Sequence, residues 1–271
     1  MKIKDVKLVV ADIDGTIQVT GAPMSRRNIE AIEQLHRRGI LFGLSSGKNL
    51  FDISRFSQTW GFSFDFDVLI GMNGAELWDN IHQKRYEFDM LSPKDLKDIF
   101  EYVQPLNLNP FIYYKDGMMM MHEDAEANMS SARNRMKLYF AKDISEMYQQ
   151  PNAKVLLRTP KDFMATVEQY CNEHPRPNFR HVKSQPTMME FINPNTSKAN
   201  GLKVFCQLND ISLDNVLAFG DNSNDVEMLQ CCYGICLADG SPDCKAAAKE
   251  VTRLDCRSDG FADWLEENLF K

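Results

Sequence analysis

Two apolar runs of strand length in this chain each end in carboxylates. Leu8-Val9-Val10-Ala11 leads into Asp12-Ile13-Asp14-Gly15-Thr16, and Val216-Leu217-Ala218-Phe219 leads into Gly220-Asp221-Asn222-Ser223-Asn224-Asp225. A carboxylate left unpaired at the edge of a core is costly, so each run requires a metal ion or a cationic side chain beside it. Side chains alternate along a strand, which starts Asp12 and Asp14 on one side, where both can approach one ion or one substrate. Gly15 permits the sharp exit that follows. Recurrence of the arrangement at Asp221 and Asp225 argues against a simple turn with a capping aspartate.

The elements that must position these residues alternate between strands and helices. Ser25 can cap a helix in which Ile29, Ile32 and Leu35 recur at helical spacing, and Gly39 ends it. A strand over Ile40 to Leu44 opens into Ser45-Ser46-Gly47-Lys48, followed by a helix from Asn49 to Trp60 and a strand from Val68 to Ile70. This βαβ pattern predicts an α/β fold, a doubly wound, Rossmann-like parallel sheet covered on both faces, with ligands at the carboxyl ends of its strands.

The middle of the chain changes character. Ser92-Pro93 starts a helix with Leu96, Ile99, Phe100 and Val103 on one face, and Lys115-Asp116-Gly117 joins Phe111–Tyr114 to Met118–Met121 as a hairpin. The methionine run reads as adaptable packing rather than as a binding surface. A strand over Lys154 to Arg158, a helix over Lys161 to Cys171 and a short strand over Phe179 to Val182 complete an inserted α/β domain, residues 85–185. The first pattern then returns with a strand at Met188 to Ile192, a helix begun by Ser197, a short strand over Gly234 to Leu237 and a terminal helix over Phe261 to Leu269. Residues 1–84 and 186–271 therefore read as one domain interrupted by the insert.

Composition narrows the function classes. The 271 residues are 44% hydrophobic and 25% charged, as in an ordinary globular protein, and long enough for a second domain. With 38 acidic against 31 basic side chains the net charge is -7, which argues against a nucleic-acid surface and requires any bound phosphate to be held by a few local residues. The stretch Met1-Lys2-Ile3-Lys4-Asp5-Val6 opens an apolar run too short for a signal peptide or a membrane span, so a cytoplasmic location and no membrane partner are expected. Seven cysteines, odd in number and without a C-x-x-C pair, suit reduced buried thiols, and the five histidines lack ligand spacing.

Asp12-x-Asp14-Gly15-Thr16, Ser46-Gly47-Lys48, Lys198 and Gly220-Asp221-x-x-Asn224-Asp225 resemble, in kind and order, the four motifs of the haloacid dehalogenase (HAD) superfamily of phosphohydrolases. Asn73-Gly74-Ala75 and Asp259-Gly260-Phe261-Ala262 extend the resemblance to nearly the whole chain. An α/β cap inserted between the second and third motifs points to the Cof-type (subfamily IIB) sugar-phosphate phosphatases. Relatives more often carry Thr-Gly-Arg at the second motif and Leu where Ile17 stands. Serine keeps the hydroxyl donor, whereas Lys48 lacks the planar fork of arginine.

The resemblance implies Mg²⁺-dependent hydrolysis of a small phosphorylated metabolite, a sugar phosphate above all. Asp12 is suited to in-line attack, giving an aspartyl-phosphate, and Asp14 to protonating the leaving oxygen and then deprotonating water. Ser46 and Lys198 are the expected catalytic donors to the phosphoryl oxygens, and Gly47, Lys48, Asn73 and Asn224 complete the expected substrate contacts. Mg²⁺ is expected on Asp12, the main-chain carbonyl of Asp14, and Asp221, with Asp225 behind it or reached through water. A phosphomutase shares these residues, its aspartyl-phosphate passing its group to a second sugar hydroxyl, whereas a non-catalytic phosphosugar sensor on the same fold predicts loss of the nucleophile, the acid or the metal ligand, and Asp12, Asp14 and Asp221 are all present.

Overall fold

The first strand, β1 (Leu8–Ala11), is wholly buried. A computed structural model describes residues 5–134 and 136–271; residues 1–4 of the N-terminal stretch read above lie outside the described residues. Ser25 caps α1 (Arg26–Arg37) by accepting the Asn28 N–H, and Gly39, at φ +70°, turns the chain out of it. The path continues through β2 (Leu41–Ser45), α2 (Leu50–Ile53), α3 (Phe56–Thr59) and β3 (Val68–Gly71). The single helix expected over residues 49–60 is thus two short ones. The Ser54 hydroxyl donates to the Phe51 carbonyl, a local bond that competes with the helical ladder at the break. Two antiparallel strands that the sequence did not announce follow, β4 (Glu76–Asp79) and β5 (Lys84–Glu87). The charged run Lys84-Arg85-Tyr86-Glu87 lacks the apolar alternation that marks a strand.

Residues Asp89–Thr196 form a separate unit. It opens with α4 (Pro93–Val103), whose Ser92 and Asp95 make a reciprocal capping box. The expected hairpin is β6 (Phe111–Tyr114) and β7 (Gly117–Met120), with all three methionines of β7 buried. Next come α5 (Ala125–Asn134), β8 (Lys137–Phe140), β9 (Lys154–Arg158), α6 (Met164–Glu173), β10 (Arg180–Gln185) and β11 (Met188–Ile192). The sheet runs β10-β11-β9-β6-β7-β8.

Here the structure corrects the sequence reading. The sequence pattern places Met188–Ile192 with the flanking domain, but it pairs antiparallel with β9 and β10, so the unit ends at Thr196 rather than at 185. All five of its residues are buried, Glu190 among them, and a short strand covered on both faces carries no alternation that tells one kind of sheet from the other.

The first unit resumes at Ser197. It adds α7 (Lys198–Leu208), β12 (Val216–Gly220), α8 (Val226–Cys231), β13 (Tyr233–Cys236), α9 (Pro242–Ala247), β14 (Glu250–Val251) and α10 (Gly260–Asn268). Its sheet has the order β14-β13-β12-β1-β2-β3-β4-β5, with every pair parallel from β14 to β3. Ile32 and Leu35 of α1 and Phe261 and Leu265 of α10 pack in one apolar layer. Leu202 and Phe205 of α7 and Met228 and Leu229 of α8 pack in another. This is the doubly wound core that the alternation predicted. Phe219 stacks edge-on against both Phe261 and Trp264, and its truncation to alanine would cost about 3–5 kcal/mol. Ala11 lies beside both Phe219 and Leu44, so the segments after β1, β2 and β12 leave the sheet at one edge.

Candidate active site

Asp12 is the first residue past β1, and its N–H donates to the carbonyl of Phe219 at 2.9 Å. The carboxylate is thereby set beside the end of β12. Lys198, capped into the first turn of α7 by Ser197, is completely buried, and its Nζ donates to Asp12 Oδ1 at 2.5 Å and to Asp225 Oδ1 at 2.6 Å. Gly74, at φ +104°, lets the Asn73-Gly74 turn press on the start of α7, where a Cβ would overlap the Ser197 carbonyl. Asp225 uses its other oxygen to accept the N–H groups of Asp221 and Asn222 at 3.0 and 3.1 Å. It therefore holds both the lysine and the loop that presents Asp221. Thr16 donates its hydroxyl to Asp221 Oδ1 at 2.8 Å, and a Cβ on Gly15 would lie 2.5 Å from Asp221 Oδ2.

Asp12, Asp221 and Asp225 each place a carboxylate oxygen within 4.8 Å of the others. Burial, helped by the charges of Asp225 and Asp221 and opposed by Lys198, pushes Asp12 up to about 7. Burial and Asp225 likewise push Asp221 up to about 6, against the hydrogen bond from Thr16 and the charge of Lys198. Burial disfavours the Lys198 ammonium, but Asp12 and Asp225 outweigh it and raise its pKa, so the lysine stays charged. The cluster thus gathers more negative charge than one ammonium balances. Because both oxygens of Asp225 already accept protein donors, Asp12 and Asp221 are the carboxylates with an oxygen to offer. Hard, crowded oxygen donors of this kind fit a small divalent cation.

The segment after β2 sits beside the turn after β3. The Ser46 N–H donates to the Ile70 carbonyl at 2.8 Å, its carbonyl accepts the Asn73 N–H at 3.0 Å, and its Oγ accepts the Lys48 N–H at 3.2 Å. Asn224 Nδ2 donates to Asn73 Oδ1 at 3.2 Å, and a Cβ on Gly47 would lie 3.2 Å from the same oxygen. Three of the expected substrate residues are therefore neighbours. Neither asparagine caps a helix: Asn222 caps the turn at Ser223–Asp225, and Asn49 caps α2.

One expectation is revised. Asp12 and Asp14 start on one side of the strand direction, but β1 stops at Ala11 and the turn separates their partners. Asp12 takes Lys198, whereas the Asp14 carboxylate pairs with the Lys48 ammonium and is not part of the three-carboxylate cluster. Sequence reasoning also left Thr16 and Glu76 without roles. Thr16 stood in plain view inside the first motif; Glu76 follows Asn73-Gly74-Ala75 on a strand that gave no signal.

The sequence pattern of the haloacid dehalogenase-like hydrolases matches residues 9–265. A protein of Haemophilus influenzae named "Putative phosphatase" is 27% identical over 228 residues, 82% of this chain and 81% of that one. The chloroplastic endoribonuclease YBEY of Arabidopsis thaliana is 23% identical over 97% of this chain, which spans only 46% of the length of that protein. Among solved structures, the HAD subclass IIB sugar phosphatase BT4131 superposes with a TM-score of 0.79 at 16% identity, covering 96% of this chain and 98% of the other. Motif order, fold and family pattern agree: the chain belongs to the haloacid dehalogenase-like hydrolases.

Proposed function

We propose that this protein is a Mg²⁺-dependent phosphatase that hydrolyses a small phosphorylated metabolite, a sugar phosphate, through an aspartyl-phosphate on Asp12. The observation that carries the reading is the Asp12–Lys198–Asp225 constellation at the strand ends, with Asp221 crowded beside it. Phosphate monoesters hydrolyse extremely slowly in water, so a site must supply a nucleophile, charge neutralisation and a proton for the leaving alcohol. Asp12 attacks phosphorus in line, and the bond to the leaving oxygen breaks as Asp14 delivers its proton. Asp14 then takes a proton from the water that hydrolyses the acyl phosphate.

Lys198 and the Ser46 hydroxyl bind the phosphoryl oxygens, already fixed by their own partners, so little reorganisation is left for the reaction. The Lys48 ammonium pairs with the Asp14 carboxylate, so substrate has to draw Lys48 away before Asp14 can serve the leaving oxygen. Asp12, Asp221 and the main-chain carbonyl of Asp14 would hold Mg²⁺, with Asp225 behind them. When bound, the ion neutralises the crowded carboxylates and the phosphoryl charge. Residues Asp89–Thr196 act as the specificity unit.

Among the described residues no helix is long and apolar enough to cross a membrane, and all seven cysteines are free thiols, which supports a reducing, cytoplasmic setting. The test is a screen of phosphorylated metabolites with Mg²⁺, with and without EDTA. Chelator-sensitive release of inorganic phosphate from a hexose phosphate is expected. Failure to release phosphate from any ester would overturn the reading.

A further inference from the structure

Glu76 is an acidic residue on β4, one step past the Asn73-Gly74-Ala75 turn, yet its side chain is only 9% exposed. Its two oxygens take different partners. Oε2 accepts the Leu50 N–H at 2.9 Å, and Oε1 accepts Arg85 Nη2 at 2.8 Å. Leu50 is the first residue of α2, a position where the helix itself offers the N–H no acceptor. Arg85, on the neighbouring strand β5, is half exposed and also pairs with Glu87 at 2.7 Å. An ion-paired strut thus runs from the outer edge of the sheet to the segment that follows Ser46-Gly47-Lys48.

The same segment is tied down at its other end. The Lys48 carbonyl accepts the Met72 N–H at 2.8 Å, just ahead of the Ser46–Asn73 bond. A Cβ on Gly71 would stand 3.1 Å from the Lys48 carbonyl and 3.3 Å from Glu76 Oε2, so the two ties meet over a glycine with little space to spare. Met72 holds a φ of 50°, a left-handed conformation that a long side chain adopts only when its surroundings impose it, and Asn73, of a type that tolerates that region, follows at 57°. Residues 46–50 and 70–76 form one laced body.

We propose that Glu76, braced by Arg85, is a positioning residue that fixes the Ser46–Leu50 segment and so aims the Ser46 hydroxyl and the Lys48 ammonium. The role rests on the reading of those two groups as phosphate-binding donors. Asp79 is the natural control, because it is a buried carboxylate on the same strand whose partners, the N–H groups of Ile81 and His82 and the side chains of His82 and Asn209, belong to no part of the site.

The experiment compares Glu76→Leu, Glu76→Gln and Asp79→Asn with the parent protein, by steady-state kinetics on the best phosphate ester and by amide hydrogen exchange. Glu76→Leu is expected to lower kcat/KM about 10-fold or more at temperatures where it is fully folded, and to speed exchange at Leu50. Glu76→Gln, which keeps an acceptor for that N–H, restores most of the loss, while Asp79→Asn lowers the melting temperature and leaves kcat and KM unchanged. Parental kinetics or unchanged Leu50 exchange in Glu76→Leu would overturn the proposal. If the parent protein hydrolyses no ester, the phosphatase reading falls by itself, and the exchange comparison decides the strut alone.

Discussion

The molecule buries a lysine in each of its two units, and the two are balanced differently. In the unit Asp89–Thr196, Lys154 on β9 pairs with Glu190 on β11 at 2.8 Å, a cation meeting an anion across adjacent strands. In the other unit, Lys198 meets two carboxylates, and a third crowds the same space. A buried ion pair with well-placed hydrogen bonds roughly offsets its own desolvation. The cluster around Lys198 keeps an excess of negative charge that its fold does not neutralise, and under the proposed function that excess prepares the site for a cation and an anionic substrate.

The largest expected break of this contrast is Asp12→Asn. It keeps the shape and removes the proposed nucleophile, so kcat should fall by several orders of magnitude while the melting temperature holds or rises, because a crowded charge is gone. Steady-state kinetics and thermal melts on the same preparation check both halves. Full activity in the variant would remove Asp12 from the chemistry.

Replacing each lysine by methionine sharpens the comparison. Lys154→Met and Lys198→Met each take a cation away from a buried carboxylate and should cost about 3–5 kcal/mol of stability by denaturant melts. Only Lys198→Met should also abolish turnover at a temperature where both variants remain folded, and only its stability should be recovered by added Mg²⁺. Equal kinetic damage from both would erase the distinction.

A smaller effect lies in pH. Asp12 and Asp221, raised to about 7 and about 6, hold protons in the metal-free folded state that the unfolded chain has already released above its ordinary carboxyl range near pH 4. The folded state therefore binds more protons between about pH 4 and pH 7, and these groups reduce stability as pH rises through that window. Melts of the metal-free protein should show this loss, and the stabilisation by Mg²⁺ should be larger at pH 8 than at pH 5.5. A Mg²⁺ effect independent of pH would contradict the crowded-carboxylate account.

The same contrast explains what was legible in the sequence. Strand ends that deliver Asp12, Asp221 and Asp225 are written in the local pattern, because an apolar run that stops at a carboxylate has few structural excuses. Ser25, Ser92 and Ser197 were readable as caps for the same local reason. Partnership was not legible. The division of Asp12 to Lys198 and Asp14 to Lys48, and the grip of Asp225 on the amides of Asp221 and Asn222, depend on where the chain turns after β1 and β12. Likewise β11 could not be assigned to its sheet, since its register with β9 and β10 is a tertiary fact, and β4 and β5 were masked by the charges that make the Glu76–Arg85 strut.

The central claim is that Asp12 carries the phosphoryl group, and the most direct measurement is to trap it there. Mixing the Mg²⁺-loaded enzyme with its best ester, quenching within the first turnover and mapping peptides by mass spectrometry should locate a phosphoryl adduct on Asp12 that is absent from Asp12→Asn. Rapid phosphate release with Asp12 unmodified at every quench time would contradict it.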